Sequence, residues 1–287
     1  MKVIVTGGNG YIASLTKKLN PQIDWVSLGR AELDLSNPEA VKEYFANAEF
    51  DAVFHTGAMA QTADCENYPE LTHRINVEST IEIAKACAEK NARLVFISTE
   101  QVFNGQTEAG PFTEESEPVC VTAYGNHKIE CEKYIAENVK DYVVLRFSWM
   151  MGLSYPGVRT SPNIIDGVMK AMFYQNPTKF TVNEIRGMTY AKHFAENFAK
   201  ILELPTGTYH FSNVNKNNTY ESAKIVARKL GYTEELIEKY ILPNTERYAD
   251  RFRDYRLDNS KLASFGIHLG TFEEDVEECL KDFRYIR

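Results

Sequence analysis

No apolar run in this chain approaches the roughly 20 residues that a membrane-spanning helix requires, so no membrane partner is expected. The first residues pass at once into an apolar strand pattern, Val3-Ile4-Val5, which leaves no room for a secretory leader. A cytoplasmic protein is expected. Cysteine is sparse and scattered. Cys65, Cys87, Cys120, Cys131 and Cys279 are odd in number and form no Cys-x-x-Cys pair. Neither a disulfide framework nor a zinc ribbon is expected from them, and reduced thiols are. The histidines show no metal-ligand spacing, so no metal site is expected. Positive charge is in deficit as well: 32 Lys and Arg against 40 Asp and Glu give a formal net charge of -8. That balance argues against a nucleic-acid partner and leaves room for a local basic pocket that takes a small anion. No internal repeat and no low-complexity linker interrupts the chain.

What is present begins with Thr6-Gly7-Gly8-Asn9-Gly10-Tyr11-Ile12-Ala13, set between the first strand and a helical run from Ser14 to Leu19. Strand, Gly-rich turn and helix are the opening unit of a dinucleotide-binding fold. Glycines let the backbone turn tightly and approach a pyrophosphate, whose charge sits at the helix N-terminus. In the spacing Gly7-x-x-Gly10-x-x-Ala13, the third place needs only a small residue for close helix–strand packing. Alone the turn is not diagnostic, because glycine turns also close ordinary βα units. Trp25-Val26-Ser27-Leu28 is the second strand. An acid normally ends that strand and holds the ribose 2′-hydroxyl. Gly29-Arg30 stands there instead. A guanidinium fits a 2′-phosphate, hence NADP; an ordinary surface arginine is the plain alternative.

Asn37 is placed to cap a helix starting at Pro38, with Val41, Tyr44, Phe45 and Ala48 at helical spacing. Ala52-Val53-Phe54-His55 is a buried strand that ends in the small residues Thr56-Gly57-Ala58, as a ligand edge requires. His55 is read as satisfying a local hydrogen bond. One long helix is expected from Glu70 to Glu89, with Leu71, Ile75, Ile81, Ala84 and Ala88 on its apolar face. Arg93 to Ile97 is a strand that ends in Ser98-Thr99-Glu100. Asn104 to Cys120 reads as a long loop over the site, with Glu114, Glu115 and Glu117 as a solvated face. A helix from Tyr124 to Asn138 and a strand from Tyr142 to Arg146 follow. This alternation predicts an α/β fold, a Rossmann-type doubly wound parallel sheet. Regularity falls after Trp149. Helices are expected at Ile164–Tyr174, Tyr190–Leu204, Thr219–Leu230 and Phe272–Phe283, and a strand at Thr208–Phe211. Residues 1–150 are assigned to the dinucleotide-binding domain and 151–287 to a smaller C-terminal substrate-binding lobe, part of which returns to the first domain.

Thr99, Tyr124 and Lys128 together can catalyse carbonyl reduction. A hydride from nicotinamide attacks the carbonyl carbon, and the oxygen must gain a proton. Tyr124 and Lys128, four apart, share one helical face. A nearby ammonium favours phenolate, so Lys128 is expected to lower the tyrosine pKa and let Tyr124 donate near neutral pH. Thr99 can hydrogen-bond the same oxygen, and Lys128 can hold the nicotinamide ribose.

At these residues the chain resembles the extended short-chain dehydrogenase/reductases, and more narrowly the dTDP-4-dehydrorhamnose reductase family. The matching stretches are Leu33-Asp34-Leu35, Pro69-Glu70-Leu71, Ser98 to Gly105, Tyr124 to Lys128 and Arg146 to Trp149, with thinner likeness at Val182-Asn183 and Thr208-Tyr209-His210. The resemblance implies an NAD(P)H-dependent reductase of a nucleotide-linked 4-keto sugar, in rhamnose biosynthesis; Gly29-Arg30 points to NADPH as the preferred cofactor, with NADH also accepted by relatives. By position, Gly10, Tyr11, Ile12, Asp34, Leu35, Gly57 and Ala58 would meet the cofactor, beside Gly7, Asn9, Arg30, Tyr124 and Lys128. Thr99, Glu100 and Trp149 would face the sugar.

Arg247, Arg251, Arg253 and Arg256 cluster at a spacing too irregular for one helix face, so a loop is expected. Arg251 and Arg256 are assigned by family position to the diphosphate, and at least one of the four is expected to pair with a carboxylate. Departures leave the substrate and the mode of any homodimer open. Glu100 replaces the usual Asp. Met150-Met151 replaces a pair usually ending in Tyr. Arg251 to Leu257 lacks the usual Arg-Pro and Asn-Ser-Arg-Leu. Leu15 stands where some relatives carry a metal-bridging Glu. Two other readings stay in view: a non-catalytic NADP-binding regulatory subunit, for which the β subunit of methionine adenosyltransferase is the precedent, and a sugar-nucleotide epimerase or dehydratase.

Overall fold

The computed structural model describes residues 1–287. In chain order its elements are β1 (Lys2–Thr6), α1 (Tyr11–Leu19), β2 (Asp24–Leu28), α2 (Pro38–Asn47), β3 (Ala52–His55), α3 (Thr62–Asn67), α4 (Pro69–His73), α5 (Ser79–Lys90), β4 (Arg93–Thr99), α6 (Ala123–Asn138) and β5 (Tyr142–Phe147). There follow β6 (Trp149–Met151), α7 (Ile164–Phe173), β7 (Thr178–Thr181), β8 (Glu184–Ile185), β9 (Met188–Tyr190), α8 (Ala191–Ile201) and β10 (Gly207–Phe211). The last are α9 (Thr219–Lys229), α10 (Glu234–Tyr240), β11 (Ile241–Asn244), β12 (Arg253–Asp254), α11 (Ser260–Ala263) and α12 (Phe272–Asp282). The chain forms two units. One comprises Met1–Thr107, Ser116–Phe147 and Phe194–Tyr209; the other comprises Glu108–Glu115, Ser148–His193 and His210–Arg287.

The first unit is built on a six-stranded sheet of order β10-β5-β4-β3-β1-β2. The pairings from β5 to β2 are parallel, in registers that set Val3 opposite both Trp25 and Ala52, and Leu94 opposite Tyr142. Such strands are buried on both faces, which is why Val3-Ile4-Val5, Val53-Phe54 and Val143-Val144-Leu145 run without polar alternation. On one face Val41 and Phe45 of α2, Ile83 and Cys87 of α5, and Ile135 of α6 pack with Ile4, Val53, Leu94 and Val144. Phe194 and Phe198 of α8 supply aromatic packing, with ring centroids 5.6 and 4.8 Å from Phe54. Each buried side chain of this size stabilises the fold by about 1.5–3 kcal/mol relative to exposure. The chain leaves β1 towards β2 and then reverses to β3. That reversal makes the carboxyl ends of β1 and β3 the ligand edge of such a sheet.

Asn37 caps α2 as expected, accepting from Ala40 N at 3.2 Å, with Pro38 in the first turn. The helix expected from Glu70 to Glu89 is interrupted. α4 runs through a single wide π-type turn, Arg74–Glu78, before α5 begins. In that turn Asn76 is buried, and its amide closes on the Met59 backbone, accepting from N at 2.8 Å and donating to O at 2.9 Å. Leu71, one of the apolar positions of that pattern, is 38% exposed.

In the second unit three short parallel pairs form, β6 with β9, β7 with β11 and β8 with β12. Ile165, Val168, Val226, Ile237, Phe272, Val276 and Leu280 are among its buried core residues. Thr271 and Glu274 close a reciprocal capping box on α12. Glu114 corrects the solvated-face reading. It is half-buried, its carboxylate accepts from His210 N at 2.9 Å, and burial raises its pKa. Glu115 and Glu117 are exposed. No helix is long and apolar enough to cross a membrane.

Candidate active site

Gly7 has φ +64, in the left-handed region, and a Cβ on it would lie 2.8 Å from the Gly57 backbone. Gly10 N donates to Gly7 O at 2.8 Å, which closes the turn. Gly10 then precedes α1 without a side-chain cap, so the first amides of the helix are available to an anion. Lys17 ties the turn to β2, donating to Gly8 O at 2.9 Å and to Ser27 Oγ at 2.6 Å.

Beside the turn lies a cleft of about 290 Å³ lined by Gly7, Arg30, Asp34, Leu35, Gly57 and Ala58, together with Leu71 and Ile75. Six residues expected at the cofactor therefore share one cavity. Asn9 sets its side chain against Gly29, while Tyr11 and Ile12 form the first turn of α1. Asp34 accepts from Ser36 N at 2.9 Å, and that bond, with the nearby Arg30 charge, holds its carboxyl below the usual range. One acid does reach the end of β2: Glu32 accepts from Gly29 N at 2.8 Å. It lines a different cleft, with Lys2 and Tyr44.

β4 ends on Thr99, whose Oγ1 accepts from Gln101 N at 3.2 Å and donates to Glu100 Oε2 at 3.3 Å. Glu100 is turned inward, 2% exposed, and accepts from Gln101 Nε2 at 3.1 Å. Thr122 caps α6, so Tyr124 falls in its first turn and Lys128 one turn later. Lys128 donates to Ile97 O at 2.8 Å and lies 4.5 Å over the Phe96 ring and 5.9 Å over the Tyr124 ring. The site thus brings Thr99, Glu100, Tyr124 and Lys128 together in the first unit.

The electrostatics differ from the sequence expectation. Burial pushes the Tyr124 phenol up, and the Glu100 charge adds to that rise. Burial also lowers the Lys128 pKa, to about 8. A raised phenol pKa keeps Tyr124 protonated at neutral pH, which is the form that donates. His55 serves structure, as read. Nδ1 meets Thr6 Oγ1 at 2.5 Å, Nε2 meets Thr80 Oγ1 at 2.8 Å, and burial lowers its pKa to about 3.

Sequence reasoning passed over the support of this site. Glu132 of α6 pairs with Arg146 of β5 at 2.7 Å and also accepts from Ser98 Oγ. Asn76 of the π-type turn reaches α6 through His127 Nδ1 at 3.4 Å, and its carbonyl accepts from Cys131 Sγ at 3.1 Å. A polar residue inside an apolar helical pattern was the only signal for Asn76.

Trp149, Arg251 and Arg256 belong to the second unit. Trp149 is 38% exposed and has the Arg186 guanidinium 4.1 Å from its ring centroid. Arg251 is half-buried. Arg256, assigned to a diphosphate, closes its fork within the protein. Nη2 donates to Asp254 Oδ2 at 2.6 Å and to Gly110 O at 2.8 Å, and Nε donates to Asp254 Oδ1 at 3.0 Å. The reason is local: residues two apart on extended chain share a face. Arg253 likewise pairs with Asp250 at 2.8 Å.

The family model described as RmlD substrate binding domain matches residues 1–285. Methionine adenosyltransferase 2 subunit beta of Pongo abelii is 27% identical over 98% of this chain and 88% of that protein. The dTDP-4-dehydrorhamnose reductase of Burkholderia thailandensis is 26% identical over 98% of this chain and 99% of its own. Among solved structures, dTDP-4-dehydrorhamnose reductase from Bacillus anthracis str. Ames in complex with NADP is similar at a TM-score of 0.84, with 22% identity, 98% of this chain and 99% of that chain covered. Turn, sheet order and the Thr-Tyr-Lys constellation all lie inside the matched span, and the chain belongs to the RmlD substrate binding domain family.

Proposed function

We propose that this protein is an NADPH-dependent reductase of a 4-keto sugar nucleotide, of the dTDP-4-dehydrorhamnose reductase kind. The observation that carries the proposal is the gathering of Thr99, Tyr124 and buried Lys128 in the unit that also holds the Gly7 cleft. The residues fit a dinucleotide: Gly7 has a conformation and a neighbour that exclude a side chain, and α1 starts uncapped. When bound, the nicotinamide supplies hydride. Tyr124 gives its phenolic proton to the carbonyl oxygen, Thr99 Oγ1 hydrogen-bonds that oxygen, and Lys128 orients the ribose and stabilises the phenolate left behind.

Glu100 acts through its neighbours rather than against the sugar, because it is buried and bonded to Thr99 and Gln101. Trp149 meets the sugar, and Arg251 the diphosphate. Arg256 supports that role by fixing Asp254 and Gly110. Arg30, exposed at the cleft, takes the 2′-phosphate of NADPH, and Glu32, the acid that follows β2, is turned to Gly29 N and lines a different cleft.

A second reading rests on the likeness to the methionine adenosyltransferase 2 beta subunit, and it makes this chain an NADP-binding subunit without turnover. One experiment separates the two. NADPH oxidation is followed against a panel of 4-keto sugar nucleotides while NADPH binding is measured by calorimetry. Turnover with one of the panel supports the reductase; tight NADPH binding with no turnover on any of them supports the second reading.

A further inference from the structure

Arg186 is 2% exposed and lies between two aromatic rings, 4.1 Å from the Trp149 centroid and 4.5 Å from the Tyr255 centroid. The strand registers of the second unit build this stack. In the β8–β12 pair Asp254 sits opposite Ile185, so the next residues, Tyr255 and Arg186, emerge side by side. Tyr255 N bonds to Ile185 O at 2.8 Å, which locks that register. In the β6–β9 pair Trp149 sits opposite Met188, two residues after Arg186. Gly187 between them has no room for a side chain, since a Cβ would meet Ser212 Oγ and lie 2.9 Å from Asn213 O. Asn215 holds the Arg186 carbonyl at 2.9 Å. The guanidinium itself is clamped by Glu184 at 2.5 Å, which is fully buried and also accepts from Thr219 Oγ1 at 3.1 Å.

We infer that Arg186 is a positioning residue that fixes the Trp149 indole as a rigid platform, so that its outward face stacks on a ring of the nucleotide sugar. Trp149 is 38% exposed, whereas Tyr255 on the other side of the guanidinium is 2% exposed, so only the Trp149 side of the stack reaches solvent. A desolvated cation over an indole face is among the stronger contacts of its kind, and a flat guanidinium matches the ring as a lysine cannot. A ring held in advance costs less entropy when a ligand stacks on it. The cation also draws electron density inward, so the outer face favours a neutral ring over a cationic ligand. The identity of the ligand rests on the reductase reading; the immobilisation of Trp149 does not.

The chain has two tryptophans, so a Trp25→Phe background isolates the emission of Trp149. In that background the paired change Arg186→Met with Glu184→Gln removes the cation without leaving a buried charge. Arg186→Lys keeps the charge and loses the plane. Expected are lower Trp149 anisotropy, greater acrylamide quenching and about tenfold weaker dTDP-glucose binding in both variants, with NADPH affinity kept. With a turned-over substrate, KM should rise by more than kcat falls. Unchanged anisotropy overturns the inference, as does lost anisotropy with unchanged dTDP-glucose affinity. If the paired variant does not fold, Arg186→Lys decides by the same readouts. A wild-type chain that turns over no 4-keto sugar nucleotide sinks the reductase reading alone, because neither the anisotropy nor the dTDP-glucose titration needs turnover. A wild-type chain that does not bind dTDP-glucose overturns the platform's assignment to a nucleotide sugar.

Discussion

Glu132 and Arg146 form an ion pair 2.7 Å long in which both side chains are nearly sealed from water. The Arg146 guanidinium also lies 5.2 Å from the Phe103 ring centroid, and Glu132 accepts from Ser98, the neighbour of Thr99. Removing one partner leaves the other charge buried and unmatched, which costs about 3–5 kcal/mol. Glu132→Ala should therefore reduce the unfolding free energy by a loss of that size, read as a lower denaturant midpoint. An unchanged midpoint would show that the pair is dispensable for stability.

Tyr124→Phe deletes the proposed proton donor and keeps the ring. General acid catalysis typically contributes roughly 10²–10⁴-fold, so turnover should fall by about that factor with NADPH affinity retained. Steady-state rates and calorimetric titration check both halves. Full activity in the variant would remove Tyr124 from the mechanism.

Lys128 has its pKa lowered by burial from 10.5 to about 8. It carries charge below that pH and loses it above, so kcat/KM should fall as pH rises through about 8. Stability moves the other way. The unfolded lysine keeps its ordinary pKa of 10.5, so between about 8 and 10.5 the unfolded chain binds more protons than the folded one. Stability then rises with pH across that window, since burying an ammonium is what the fold bears at neutral pH. Lys128→Met should abolish turnover while raising Tm at pH 7. A pH–rate profile and paired thermal melts test these signs; a variant that melts lower would contradict the second.

Arg30→Ala should erode the preference for NADPH. The ratio of kcat/KM for NADPH to that for NADH should drop by about ten- to a hundred-fold, as loss of one charged hydrogen-bond partner predicts. A ratio that does not move would return Arg30 to the ordinary surface.

Much of the first unit was readable because its signals are local and strong. Strands buried on both faces print as unbroken apolar runs, and Asn37-Pro38 and Gly7 carry their geometry in residue type. Tyr124 and Lys128 were found by helical spacing. What failed to print was tertiary. The π-type turn at Arg74–Glu78 keeps a helical pattern, Leu71 before it lines the cleft and not the core, and β8 and β12 are two residues long, too short for any period. Nothing in the local pattern singles out Arg186, which the strand registers set between Trp149 and Tyr255. The direction of the Tyr124 shift also escaped, because burial and the neighbouring Glu100 carboxylate, both tertiary, raise it.

The first unit takes its last piece, Phe194–Tyr209, from far down the chain. A gene fragment stopped at Phe147 would lack β10 and the rings of Phe194 and Phe198, leaving β5 as a raw sheet edge and Phe54 uncovered. Such a fragment is an aggregation hazard rather than a free-standing cofactor module. A chimera that exchanges substrate specificity with a relative therefore needs several crossovers, because one splice after the fifth strand severs both units.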